Sequence, residues 1–315
     1  MLNSLLGHPR QSAVRALDSI NARLNEVVLG KERIVRLGLA CVLARGHLLI
    51  EDRPGVGKTT LAHALARVLG LDFNRVQFTS DMLPADVIGV SVFDTGLQAF
   101  SFHPGPVFNH VVLADEINRA TPRAQSALLE AMEERQVSVD GTTHALPDPF
   151  YVIATQNPYE QTGSFPLPES QLDRFMMTVS MGFPDRESER ALLNGRDRGR
   201  LLEELEAVTD AAGVIELQRT AEQVHASDAL TGYVLDLLEA SRAADWVESG
   251  LSRLAGLALL RSARAWALLQ GRDTVIPEDV QEFAPAVIGH RIAHNMSSSD
   301  REALARRLIE SVAID

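Results

Sequence analysis

The sequence predicts an α/β fold, a parallel sheet with helices between its strands, followed by a smaller all-helical domain. Two observations carry that prediction. Short apolar runs recur through the first half without polar alternation, and turns or helical patterns separate them. Strands buried on both faces of a parallel sheet read this way. Beyond residues 182–185, which include Pro184, the chain turns helical and rich in Ala, Leu, Glu and Arg. At 315 residues it is long enough for two domains with separate cores. The boundary is expected at that joint: residues 1–184, opening on a short helical segment, then residues 185–315.

Taken in order, the predicted strands are HLLIE (47–51), RVQF (75–78), HVVLA (110–114), YVIAT (151–155) and MMTVS (176–180). After the first, residues 59–69 place Leu61, Leu65 and Val68 at helical spacing. Residues 122–135 form a second helix, with Pro122 early and Leu128, Leu129 and Met132 on one side. Two stretches break the alternation and read as hairpins. Residues 90–102 turn at Asp94, Thr95 and Gly96. Residues 136–146 carry Val137 and Val139 on one face and turn at Asp140-Gly141. In the second domain, helices are expected over 230–243, 254–269 and 278–287, the last preceded by Pro277 at a helix-start position. There is no internal repeat and no low-complexity tract.

Composition is that of a soluble globular protein, 45% hydrophobic and 23% charged. The formal net charge of −12 argues against a broad basic face for duplex DNA. Cys41 is the one cysteine, so no intrachain disulfide forms, which fits a reducing compartment. The opening MLNSLLGHPRQSAVRALDSINARLNE lacks a sustained apolar stretch and a small-residue cleavage site, so no signal peptide is expected. The apolar stretch 37–50 is broken by Arg45 and His47 and is too short to span a bilayer. A cytoplasmic protein is expected.

The segment HLLIEDRPGVGKTTLAHAL reads strand, glycine turn, helix, which is the context a phosphate-binding loop needs. Backbone N–H groups from Pro54 through Gly55, Val56, Gly57, Lys58, Thr59 and Thr60 can surround an anion at the helix start. Lys58 reaches the β- and γ-phosphates of ATP, and the Thr59 hydroxyl binds Mg²⁺. Asp52 stands where the generic pattern has glycine. A carboxylate there repels phosphate unless its side chain points away.

Next, HVVLADEINRA ends a strand in two acids at the carboxyl edge of the sheet. Asp115 would hold the metal through water and Glu116 would polarise the attacking water. Asn157, after YVIAT, could orient that water from the side. An Asn-Pro pair also simply opens a turn, so both readings stand. Arg174, before the last strand, fits a charge-neutralising finger for a neighbouring subunit's γ-phosphate. Alone it reads equally as a surface arginine. The nine histidines show no metal-ligand spacing.

These motifs and the strings around them resemble the MoxR family of AAA+ ATPases. The matching strings are EDRPGVGKTT, RVQFTSDMLPADVIG, FHPGPVFNHVVLADEINRA, QSALLEAMEERQVSVDG, FYVIATQNPYEQTGSFPLPESQLDRF and GRDTVIPEDV. The likeness covers about residues 20–295. It implies a three-layer αβα core with a helical lid, Mg·ATP bound at subunit borders, and a hexameric ring. The hairpins would be that clade's helix-2 insert and pre-sensor hairpin. Asn157 would be sensor 1 and Arg174 the finger acting in trans. Val28 and Gly30 would lie near the adenine, though Gly30 also reads as a turn. Family members usually carry a lid arginine at the position of Leu254, and Arg253, one residue earlier, is the candidate here. Relatives act as chaperone-like ATPases on protein clients, often with a von Willebrand factor A domain, in maturation or metal loading of complexes. A nucleic-acid motor is the alternative, but neither hairpin carries Lys or Arg. A nucleotide-sensing scaffold that does no work is a third reading, and Glu116 and Arg174 count against it.

Overall fold

The computed structural model describes residues 9–96, 98–158, 163–194, 198–293 and 296–314. Two helices, α1 (Pro9–Val27) and α2 (Glu32–Leu43), precede the sheet. Then follow β1 (Leu48–Glu51), α3 (Lys58–Val68), β2 (Phe73–Gln77), α4 (Pro84–Ile88), and the hairpin of β3 (Gly89–Asp94) and β4 (Ala99–Pro104). Next come β5 (Val111–Asp115), α5 (Pro122–Glu134), the hairpin of β6 (Gln136–Val139) and β7 (Thr142–Ala145), β8 (Tyr151–Gln156), α6 (Glu169–Leu172) and β9 (Met177–Val179). The rest is helical: α7 (Arg186–Asn194), α8 (Arg198–Glu204), α9 (Ala211–Glu222), α10 (Asp228–Ala243), α11 (Arg253–Leu269), α12 (Pro277–Ile292) and α13 (Ser298–Glu310).

All five predicted apolar runs are strands of one parallel sheet, ordered β2-β5-β8-β1-β9. Alternate residues face opposite layers. Leu48, Ile50, Val111, Leu113, Ile153 and Met177 join the apolar cluster of α1–α3 and the C-terminal helices. Leu49, Val112, Ala114, Val152 and Ala154 join the cluster under α5. The sheet is therefore the middle of three layers. The first cluster runs unbroken from Leu17 in α1 to Leu308 in α13, so the helical half shares its core with the sheet.

Local rules explain the element starts. Side chains of Thr121, Asp210, Ser227 and Ser252 accept from backbone N–H groups in the first turns of α5, α9, α10 and α11. Both expected hairpins form, pairing Val90 with His103 and Val137 with His144; residue 97, in the first turn, lies outside the described residues. They touch through aromatic rings. Phe102 of β4 stacks on His144 of β7 at 4.0 Å between centroids, and Phe108 meets Phe102 edge-on at 5.5 Å. At the first hairpin's far end, exposed Phe93 and Phe100 lie 5.3 Å apart.

One helix outruns its prediction. α12 continues to Ile292, past the expected end at Val287 and through Pro285. Its last turn is buried on every side, so polar contrast does not mark it in the sequence.

The lid side is fastened to the sheet by charge. Arg301 of α13 donates to the Glu51 carboxylate at 2.6 Å, both groups buried, and its Nε donates to the carbonyl of Ala293 after α12. Gln156 at the end of β8 donates to the other Glu51 oxygen. At the joint after β9, the Lys31 ammonium donates to the carbonyls of Met181, Gly182 and Phe183. Among the described residues, no helix is long and apolar enough to cross a membrane.

Candidate active site

The loop between β1 and α3 owes its shape to two glycines. Gly55 and Gly57 have φ of +85° and +96°, the left-handed region that side chains resist. Gly57 starts α3, so the first amides of that helix open onto a cavity of about 380 Å³. Pro54, Gly55, Gly57, Lys58, Thr59, Thr60, Asp115, Glu116 and Asn157 line it, together with Arg75 and Gln77. Val56 turns into the core, 8% exposed.

Burial lowers the Lys58 pKa, while Asp115, Asp52 and Glu116 pull it back up. The ammonium donates to the carbonyl of Asp52 at 2.6 Å. The Asp52 carboxylate points away from the cavity: it accepts from Ser180 Oγ at 3.0 Å and from the Gly182 amide at 2.6 Å. An acid at this first loop position thus bonds the joint behind the loop instead of facing phosphate.

Asp115 ends β5 and is buried. Its Oδ1 accepts the Thr155 hydroxyl at 2.6 Å, and its Oδ2 accepts from Arg75 Nη2 at 2.6 Å and Nε at 3.2 Å. Glu116 has φ of +56°, and its amide donates to Thr155 Oγ at 2.9 Å. Its carboxylate accepts from Gln77 Nε2 at 2.8 Å and pairs with Arg119 at 3.1 Å. The positive φ turns Glu116 away from the strand direction, as a residue facing a ligand across a sheet edge requires.

Arg75, Gln77, Thr155 and Arg119 are the residues sequence reasoning missed. The signal available for two of them was RVQF itself, where polar Arg75 and Gln77 alternate with Val76 in a strand otherwise read as buried. Register decides the rest, since Gln77 sits directly beside Asp115.

Four other candidates lie off the cavity lining. Arg174 follows α6, and its guanidinium meets Glu133 of α5 at 2.9 Å. Arg253 is the first residue of α11 and exposed, with Leu254 beside it 64% exposed. Val28 is buried in the core. Gly30, φ +64°, packs on α7 so closely that a Cβ would stand 2.4 Å from Ser188 Oγ.

The donor sets match nucleotide and metal in kind. A helix start with an adjacent ammonium takes an anion. The Thr59 hydroxyl and Asp115 carboxylate are hard oxygen donors that suit Mg²⁺.

Residues 47–177 match the family described as "ATPase family associated with various cellular activities (AAA)", and residues 239–311 match "AAA lid domain". The chain is 37% identical over 314 residues to "Chaperone MoxR1" of Mycobacterium tuberculosis, covering 96% of this chain and 83% of that protein. The chain belongs to the MoxR family of AAA+ ATPases. As a MoxR-family protein it is an ATP hydrolase. It is also 44% identical over 295 residues to the uncharacterized protein YeaC of Bacillus subtilis, covering 92% of each chain. The crystal structure of a putative ATPase from Cytophaga hutchinsonii superposes with a TM-score of 0.86 at 34% identity, covering 98% of this chain and 97% of that one. The MoxR architecture of αβα core and helical lid is thus the one described above.

Proposed function

We propose that this MoxR-family ATPase works as a hexameric ring that hydrolyses ATP at subunit borders to remodel or activate protein partners. The observation that carries the proposal is the division of its candidate groups. Lys58, Thr59, Asp115, Glu116 and Asn157 share one cavity, while Arg174 stands outside it on the same chain. An arginine that pairs with Glu133 instead of lining its own subunit's cavity is placed to serve a neighbour's.

In this reading the amides of residues 54–60 and the Lys58 ammonium hold the triphosphate. A bound Mg²⁺ would supply neutralisation of the phosphate charge. Thr59 and Asp115 are the residues that would hold it. Glu116 accepts a proton from water as the water oxygen attacks the γ-phosphorus. The bond to the β–γ bridging oxygen breaks, leaving ADP and phosphate. Gln77 and Arg119 hold the Glu116 carboxylate, and Asn157 orients the water. Arg174 of the adjoining subunit meets the charge developing on the γ-phosphoryl oxygens. Val28 and Gly30 would border the base, and Arg253 would act from the lid.

Arg174→Ala should keep ATP binding and lose turnover by about 10³–10⁵-fold, the usual worth of such a finger. Normal turnover in that variant sinks the model. For the partner, Glu116→Gln should hold ATP uncleaved, and Lys58→Ala is its non-binding control. Enrichment of a protein with a von Willebrand factor A domain by the first alone supports a chaperone-like role in the cytoplasm. Enrichment of nuclease-sensitive nucleic acid replaces it with the motor reading, which the absence of Lys and Arg from both hairpins disfavours.

A further inference from the structure

The loop Asp173-Arg174-Phe175-Met176 is held by one buried side chain from the lid. Arg291, in the last turn of α12 and 7% exposed, donates through Nε to Asp173 Oδ1 at 2.5 Å. Its Nη2 reaches the carbonyls of Asp173 at 3.1 Å and Phe175 at 2.9 Å. Its Nη1 reaches the carbonyl of Met176 at 3.2 Å and that of Val287 in its own helix. Adjacent His290, buried, places Nε2 3.3 Å from the Phe175 carbonyl. The carbonyls on both sides of Arg174 are thus bound by consecutive residues of α12. A guanidinium has five N–H donors in a planar fork, and this one directs every nitrogen into the loop or its own helix. A buried cation is costly unless such bonds compensate it. From the other side, Glu133 of α5 meets the Arg174 guanidinium itself.

We infer that Arg291 is a positioning residue for Arg174, so that each subunit's lid helix sets the finger it offers to the next subunit's ATP. This rests on the trans-acting reading of Arg174. What it adds is the origin of the finger's geometry. The backbone amides of the loop bond into α6 and to His47, and α12 binds its carbonyls. Lysine, with a single nitrogen, cannot reproduce the pattern.

The test separates service to a neighbour from service to the subunit's own fold. Full-length Arg291→Lys and Asp173→Asn should bind ATP as the parent does. Each alone should turn over about 10²-fold more slowly, as expected when a catalytic group is displaced by about 1 Å. Glu116→Gln, inactive alone, keeps a sound finger. Mixed one to one with Arg291→Lys it should restore turnover, because roughly a quarter of sites in randomly assembled rings then pair an intact Glu116 with an intact finger. Arg174→Ala mixed with Glu116→Gln is the reference. If the reference recovers and Arg291→Lys does not, or if Arg291→Lys turns over normally by itself, the assignment of Arg291 is overturned while the trans site stands. If the reference fails to recover, the trans site itself is wrong.

Discussion

One threonine hydroxyl organises the two acids at the end of β5: Thr155 donates to Asp115 and accepts from the Glu116 amide. The motif residues that line the cavity were legible because their spacing is local, a loop before a helix or polar residues at a strand end. Thr155 was not, because parallel neighbours brought together by strand order leave no mark in sequence spacing, and the alternation of Arg75 and Gln77 around Val76 marked an open face without saying which acid lay beside it. At this scale one pH effect stands out. His47 is fully enclosed before β1, accepting at Nδ1 from the Val152 amide and placing Nε2 3.3 Å from the Met132 carbonyl. Burial pushes its imidazole from 6.5 down to about 4. The unfolded chain then binds more protons than the folded one between those values, so stability falls as pH drops through that window. The loss attributable to His47 should approach about 3 kcal/mol at the acid end. Buried His290 shifts in the same direction. Urea unfolding at pH 7 and pH 5 checks this: His47→Gln should show a shallower loss than the parent, and an equal slope would remove His47 as the cause.

Elements announced themselves where their surroundings differ from face to face. The strand runs and both hairpins did so, through apolar blocks and the Asp140-Gly141 turn. The end of α12 did not, since a helix enclosed all round has no polar stripe to count. Yet that end binds the loop 173–176 and, through Ala293 and Arg301, connects to Glu51 just before the loop that leads into α3. The Glu51–Arg301 pair joins α13 to β1 without bulk water, so removing one partner strands the other charge. Arg301→Met should cost on the order of 3–5 kcal/mol. Glu51→Gln together with Arg301→Met should cost less than Arg301→Met alone, because no uncompensated carboxylate remains. Chemical denaturation of these two variants and of Glu51→Gln alone measures the difference. Additive losses would mean that the pair is not coupled.

For the whole molecule, the proposed completion of each site by a neighbour would make catalysis a property of the assembly. ATP turnover per subunit should therefore rise with protein concentration and level off once rings are full. Arg174→Ala should stay low throughout, and a parent rate independent of dilution across the assembly range would argue for a self-sufficient subunit. The net charge of −12 and hairpins without cations fit a protein client better than a polyanion.

The aromatic bridge between the hairpins has a mechanical consequence. Because Phe102 lies face to face on His144, the two ribbons form a two-pronged lever. A load applied to Phe100 at the free tip passes through β7 into β6, which begins three residues after Glu133, the ion-pair partner of Arg174. Under the proposed trans arrangement, tension from a gripped polypeptide would be felt at Arg174, so that resistance met by one subunit would adjust the rate at its neighbour's site.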